Sequence, residues 1–264
     1  MKKVIIITLS VLALVAIAVL GQWWHNQQLA AEAGPPPLDF SHWAVLLVSG
    51  DNHAHNGNPS QVFDNARHDL AKAFEKMGFK PDNMEQFAIS EYGVHASEIV
   101  SIAETFKDLS QKAPAGCLVY FTSHGAPQGI VVGPALATPY MVRRTVDDAC
   151  GDKPTVVVMS ACYSGVFVQP LAGPNRVVLT AARPDRTSFG CGEMDHYTFF
   201  DDCFLRAIPH ADDFASLGEQ VQACVQAKEQ ETHATPPSEP QLSVGPNVMY
   251  TLRYRQSGST VPPS

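Results

Sequence analysis

Four short apolar runs limit what this chain can fold into. The clearest is Trp43–Ser49 (WAVLLVS), which lacks alternating polar residues and is typical of a strand buried on both faces. Similar runs occupy Leu118–Thr122, Thr155–Met159 and Arg176–Thr180. Because amphipathic stretches with helical spacing separate these runs, the pattern predicts an α/β sandwich with a mostly parallel central sheet flanked by helices.

The stretches between the apolar runs give the remaining elements. Helical spacing predicts five helices, at Val62–Met77 (ended by Gly78), Ala96–Leu109 (capped by Ser97), Tyr140–Asp148, Tyr197–Ala207 and Asp212–Thr232. We also expect a weak strand at Gln86–Ile89, a turn around Gly129 and a last short strand near Leu242.

Two of the apolar runs end in residues that carry chemistry. His124 follows Leu118–Thr122, and Cys162 follows Thr155–Met159. If the two strands are neighbours, these side chains emerge at the same edge of the sheet, where the imidazole can take the thiol proton. The backbone N–H groups of Gly125 and Cys162 could then donate hydrogen bonds to an oxyanion. The sequence therefore predicts an acyl-transfer site.

Two other interpretations fit these residues less well. A single Cys after a strand is usually a small buried hydrophobe, and a single His is usually a surface residue; the pairing at two strand ends favours catalysis. An α/β-hydrolase with a Cys nucleophile would need Gly-x-Cys-x-Gly and a later His. Here Ser160 and Ser164 occupy the Gly positions, and His124 precedes Cys162.

The segments around these residues resemble a known family. LVYFTSHGA (118–126) and VVVMSACYSG (156–165) are similar to the His-Gly and Ala-Cys-x-Ser-Gly blocks of the legumain family, the asparaginyl endopeptidases of caspase-like fold. The resemblance extends to NARHD (65–69) and TAARPDRTSFGC (180–191), and thus covers about residues 43–205. It implies a caspase-like three-layer sandwich.

The resemblance also implies a mechanism. Cys162 attacks the peptide carbonyl to form a thioester, His124 protonates the departing amine, and water hydrolyses the acyl-enzyme. In a transpeptidase an amine would replace that water, and the sequence does not separate the two reactions. A catalytically silent, membrane-tethered binding module is the third possibility, and the intact His/Cys pair argues against it.

A pocket for a substrate Asn or Asp side chain is implied by the same resemblance. Arg67 matches the family's pocket arginine, and Thr187 or Ser188 matches its pocket serine. Asp201 matches its pocket aspartate, with Asp202 as the second choice. Arg67 could otherwise be an ordinary residue of a helix surface. Ser160 departs from the family, because legumains carry an acidic residue there.

The N-terminus predicts export. Lys2 and Lys3 precede an uncharged apolar run of seventeen residues, Val4–Leu20, near the lower limit for a membrane-spanning helix. A cleaved signal peptide, with Ala31-Glu32-Ala33 as the cleavage site, and an uncleaved anchor both fit. We expect a signal or anchor segment at 1–21, a Pro-rich spacer at 22–39, a peptidase domain at 40–256 and a frayed tail at 257–264. The domain would be periplasmic or extracellular, held by a single-pass inner-membrane helix, or secreted if the segment is cleaved.

Composition excludes several functions. With a net charge of -8 and no cluster of Lys and Arg, the chain lacks a nucleic-acid surface. The six cysteines include no CxxC pair, and His53 and His55 have no third ligand, so we expect neither metal nor cofactor. If Cys162 is a free nucleophile, at most two disulfides form and at least one other thiol stays free. The expected partners are a peptide or protein substrate and, through the N-terminal helix, the membrane.

Overall fold

The four apolar runs form adjacent strands at the centre of one sheet. A computed structural model describes residues 15–28, 37–89, 99–249 and 251–254. The six strands of the sheet are β1 (Trp43–Ser49), β2 (Met84–Ala88), β3 (Gly116–Thr122), β7 (Thr155–Ser160), β8 (Arg176–Thr180) and β9 (Gln241–Val244); strands β4 to β6, which come between β3 and β7 in the chain, belong to a small separate sheet. The strands lie in the order β2-β1-β3-β7-β8-β9, and all neighbours are parallel except β9, which runs antiparallel to β8 at one edge. The mostly parallel α/β fold predicted from the sequence is confirmed.

Helices cover both faces of this sheet. Helix α1 (residues 15–28) lies before the sheet in the chain. The helices on the sheet are α2 (Val62–Met77), α3 (Ile99–Lys112), α4 (Pro139–Cys150), α5 (Val168–Leu171), α6 (Phe199–Ala207) and α7 (Phe214–Thr232). The sheet and helices α2, α6 and α7 enclose one apolar core, and the sheet and helices α3, α4 and α5 enclose the other. Because side chains alternate along a strand, Leu118 and Tyr120 enter the first core while Val119 and Phe121 enter the second. The result is a three-layer sandwich.

Local chemistry explains where the helices begin and end. Helix α2 has the predicted bounds and stops at Gly78, which adopts a left-handed φ of 106°. Thr198 caps α6, so this helix starts two residues later than predicted. Asp213 and Ser216 form a capping box that likewise delays the start of α7. The predicted cap Ser97 lies outside the described residues.

The segment after β3 differs from the sequence prediction. Instead of a turn alone, it forms a small antiparallel sheet of β4 (Gly125–Ala126), β5 (Gly129–Val132) and β6 (Ala135–Ala137). These strands are too short to give a clear periodicity, so the sequence pattern predicted only the turn around Gly129.

Two disulfides link neighbouring elements of the sandwich. Cys117–Cys150 ties β3 to α4, and Cys203–Cys224 ties α6 to α7. Cys162 is free, as is one other thiol among the described residues, so the predicted limit of two disulfides is confirmed.

The N-terminal region is a separate unit. Residues 15–28 are helical (α1), and residues 38–254 form the other compact unit. Most of the apolar run Val4–Leu20, together with the cleavage motif at 31–33, lies outside the described residues. In the part of the chain that the structure describes, every helix is too short or too polar to cross a membrane.

Candidate active site

Strands β3 and β7 are direct neighbours. The predicted site required this, because only neighbouring strands bring His124 and Cys162 to the same edge of the sheet. Thr122 pairs with Ser160, and the Ser123 N–H donates to the Ser160 carbonyl at 3.1 Å. His124 and Cys162 each lie two residues beyond this pair. Both therefore leave the carboxyl edge of the sheet, where parallel α/β folds place their ligands.

Gly125 allows the two strand ends to pack closely. A Cβ at this position would lie 2.0 Å from the Cys162 carbonyl oxygen and 3.0 Å from the Ala161 Cβ. Only glycine fits, because these distances are shorter than any ordinary contact. The backbone of Gly125 therefore packs directly against the backbone of Cys162.

The imidazole of His124 is held by a main-chain carbonyl. Its Nε2 lies 2.9 Å from the carbonyl oxygen of His53. A carbonyl only accepts, so Nε2 carries the hydrogen and Nδ1 of the neutral ring is left as the base. The ring of Phe63 packs edge-on against His124, with the centroids 5.0 Å apart. Together these contacts fix both the tautomer and the plane of the imidazole.

The thiol of Cys162 lies against the segment that follows β8. Its Sγ accepts a hydrogen bond from the Ser188 N–H at 3.3 Å, and the Ser188 Oγ is 3.6 Å away. An N–H donor of this kind stabilises a thiolate. Across the described residues no hydrogen bond joins this sulfur to the His124 ring. Catalytic hydrogen bonds are often long without substrate and shorten when it binds.

A left-handed residue turns the chain immediately after Cys162. Tyr163 has a φ of 58° and leads into a 3₁₀ turn at Ser164–Phe167. Its N–H donates to the Arg186 carbonyl at 2.7 Å, which pins this turn to the same segment that contacts the thiol. Strained backbone of this type is frequent at functional sites.

A second free thiol, Cys191, lies in the same segment as Ser188. Burial, together with the charge of the nearby Cys162, raises the pKa of the Cys191 thiol to about 11. It therefore stays protonated at neutral pH and is a poor nucleophile.

The residues assigned to a substrate pocket fall into two groups. Arg67 is largely buried in α2, where its Nε donates to Asp64 at 2.7 Å and its Nη1 donates to Gln86. Ser188 is half-buried beside the thiol, and Thr187 precedes it.

Ser160 and Asp201 form the second group, and both are buried beneath the strand ends. Asp201 is 0% exposed and accepts hydrogen bonds from the hydroxyls of Tyr120 and Thr122, each at 2.7 Å. Ser160 lies 3.5 Å from Thr198, whose Oγ1 accepts from the Asp201 N–H. Burial raises the pKa of the Asp201 carboxyl, although the surrounding hydroxyls oppose this rise. The spacing of these residues in the sequence did not indicate their burial.

The loop at 51–60 contributes a contact that sequence reasoning missed. The sequence pattern suggested only a His53/His55 pair without a third metal ligand. In the described residues no three His, Cys, Asp or Glu side chains are grouped so as to hold a metal. The contact that the loop makes with His124 comes from the His53 carbonyl, and a backbone atom leaves no signal in the sequence.

The order of the strands in the sheet and the helices on both of its faces define a caspase-like α/β fold. The structure is similar to the crystal structure of caspase-1 from Spodoptera frugiperda, with a TM-score of 0.59 at 14% identity, covering 87% of this chain and 96% of that one. Residues 45–239 match the Peptidase C13 family, and the chain belongs to that family of cysteine-type endopeptidases. The resemblance to legumains is thus confirmed. No curated protein matches the chain in sequence.

Proposed function

We propose that the chain hydrolyses peptide bonds through Cys162 and His124. The observation that carries the proposal is the pairing of Thr122 with Ser160, two residues before the dyad on adjacent strands. Nδ1 of His124 takes the thiol proton, and the thiolate of Cys162 attacks the peptide carbonyl. The tetrahedral intermediate collapses as the same proton passes to the departing amine. Water, deprotonated by His124, then hydrolyses the thioester and frees Cys162.

The N–H groups of Gly125 and Cys162 are the proposed oxyanion donors. Their support is the packing of Gly125 directly on the backbone of Cys162, which keeps the two N–H groups on adjoining, rigid segments. Donors fixed in advance stabilise a developing negative charge without reorganisation.

We propose an Asn or Asp side chain at the substrate position before the cleaved bond. Arg67, Thr187 and Ser188 would contact it, while Ser160 and Asp201 form the polar layer beneath. An arginine accommodates the carbonyl oxygen of either side chain. Because Ser160 is uncharged where legumains carry an acid, we expect a weaker preference for Asn over Asp than in those enzymes.

Export and membrane attachment form a separate proposal. Their support is the apolar run Val4–Leu20 behind Lys2 and Lys3, together with the two disulfides of the folded unit. Disulfides persist in oxidising compartments and are rare in the cytosol. Protease accessibility of the folded unit from the non-cytoplasmic side of intact cells would test it.

The dyad is tested with the full chain in detergent and a peptide library read by mass spectrometry. Cys162→Ala should abolish cleavage, and His124→Ala should reduce it by about 10²-fold or more. Asp82→Asn, an exposed change at the amino end of the sheet, is the matched control and should cleave normally. Cleavage retained by Cys162→Ala would refute the proposal. Adding an amine nucleophile to the same assay distinguishes hydrolysis from transpeptidation.

A further inference from the structure

The peptide between His53 and Ala54 is held at both of its polar ends. Its carbonyl oxygen accepts from Nε2 of His124 at 2.9 Å, and its N–H donates to the Asn58 carbonyl at 2.8 Å. In a trans peptide these groups point in opposite directions. The loop therefore presents the carbonyl to His124 in a fixed direction.

One carboxylate oxygen fixes the residue that bears this carbonyl. Oδ1 of Asp51 accepts from the N–H groups of Asn52 at 2.7 Å and His53 at 3.0 Å, and it lies 2.8 Å from Nδ1 of the His53 ring. An aspartate that binds the backbone two residues ahead imposes a local turn. Because the Asp51 side chain is only 19% exposed, water competes weakly for these bonds.

The far side of the same loop contacts the segment that follows β8, which contains Ser188 beside the Cys162 thiol. The His55 N–H donates to the Cys191 carbonyl at 3.2 Å, and the Asn58 side chain donates to Glu193 at 2.9 Å. Cys191 lies three residues after Ser188, whose N–H contacts the thiol of Cys162. The loop thus connects the base on one side of the dyad to the nucleophile on the other.

We propose that Asp51 is a positioning residue for catalysis, acting on His124 through the His53 carbonyl. The inference rests on the proposed function, since it assigns His124 as the base. Without the Asp51 turn, the carbonyl loses its fixed direction, and the imidazole can rotate or change tautomer. For metal-binding His residues, removal of the outer group that holds the ring typically lowers activity by about 10-fold or more, and we expect a loss at the lower end of this range here.

The test compares Asp51→Ala, Asp51→Asn and the control Asp82→Asn in the full chain. Asp51→Ala should lower kcat about tenfold with KM changed less than about twofold, because orientation and not substrate binding is affected. Asp51→Asn should restore most of kcat, since its amide oxygen still accepts from both N–H groups. Asp51→Ser, whose hydroxyl can accept only in part, should fall between them and serves if Asp51→Ala does not fold.

The pH profile of Cys162 alkylation by iodoacetamide separates positioning from general stability. For Asp51→Ala this profile should move toward that of His124→Ala, while Asp82→Asn keeps the wild-type profile. The inference is overturned if Asp51→Ala keeps the wild-type kcat and the wild-type pH profile of alkylation. It is also overturned if Asp51→Asn is as impaired as Asp51→Ala. If His124→Ala itself retains activity, the proposed dyad is wrong; if only His124→Ala is impaired, the dyad stands and the role of Asp51 is refuted.

Discussion

Replacing Gly125 by Ala tests whether the packing of the two strand ends sets the geometry of the dyad. The new Cβ would lie 2.0 Å from the Cys162 carbonyl oxygen, whereas an ordinary contact needs at least 3.4 Å. The segments that carry Gly125 and Cys162 must therefore separate by about 1.4 Å. The backbone of Gly125 is not left-handed, so the effect is steric. Because His124 adjoins Gly125, the separation falls directly on the two reacting side chains.

A displacement of this size should lower kcat/KM by about 100-fold. The overpacking should also reduce the free energy of unfolding by about 1–3 kcal/mol. The matched control is Gly173→Ala, whose Cβ would meet its nearest neighbour, Arg176, at an ordinary 3.6 Å. Peptide cleavage, normalised to the folded fraction from a urea titration, measures both effects. If Gly125→Ala cleaves within about threefold of Gly173→Ala, the dyad does not depend on this contact.

Three further outcomes follow from the buried and cross-linked groups. With a pKa of about 11, Cys191 is about one part in ten thousand thiolate near pH 7, so iodoacetamide should label Cys162 first; equal labelling in a peptide map would contradict this. The raised pKa of Asp201 means that the folded state holds this proton more tightly than the unfolded state, so its contribution to stability is full below its ordinary pKa of 3.8 and is lost as the pH rises. As the pH rises above this ordinary value, the free energy of unfolding of Asp201→Asn, measured by urea titration, should therefore increase relative to that of wild type, and a constant difference would argue against a raised pKa. Replacing Cys203 and Cys224 by Ser removes a disulfide between residues 21 positions apart and should lower the free energy of unfolding by about 3 kcal/mol. An unchanged denaturation midpoint would show that this disulfide is not formed.

Local patterns predicted most of the fold. Strand β1 has the predicted bounds because a strand buried on both faces needs an unbroken apolar run. Helix α2 also has its predicted bounds, since Gly78 both breaks the helix and supplies the left-handed residue that ends it. The sheet after β3 was missed because strands such as Gly125–Ala126 are too short to establish a period.

The candidate site, like the fold, could be predicted only in part from the sequence. His124 and Cys162 could be found from the sequence because each directly follows a recognisable strand. The order of the strands, which brings β3 beside β7, required the tertiary structure. So did the burial of Asp201 under the hydroxyls of Tyr120 and Thr122, which depends on contacts about eighty residues apart in the chain.

The sequence by itself determined which residues can react, because the thiol and the imidazole are side chains and the sequence specifies the side chain at every position. Only the tertiary structure decided how they are held. Gly125 is required because of the Cys162 carbonyl that faces it, and His124 is oriented by the carbonyl of His53. Every residue has a carbonyl, so only the packing of distant segments selects the one that acts.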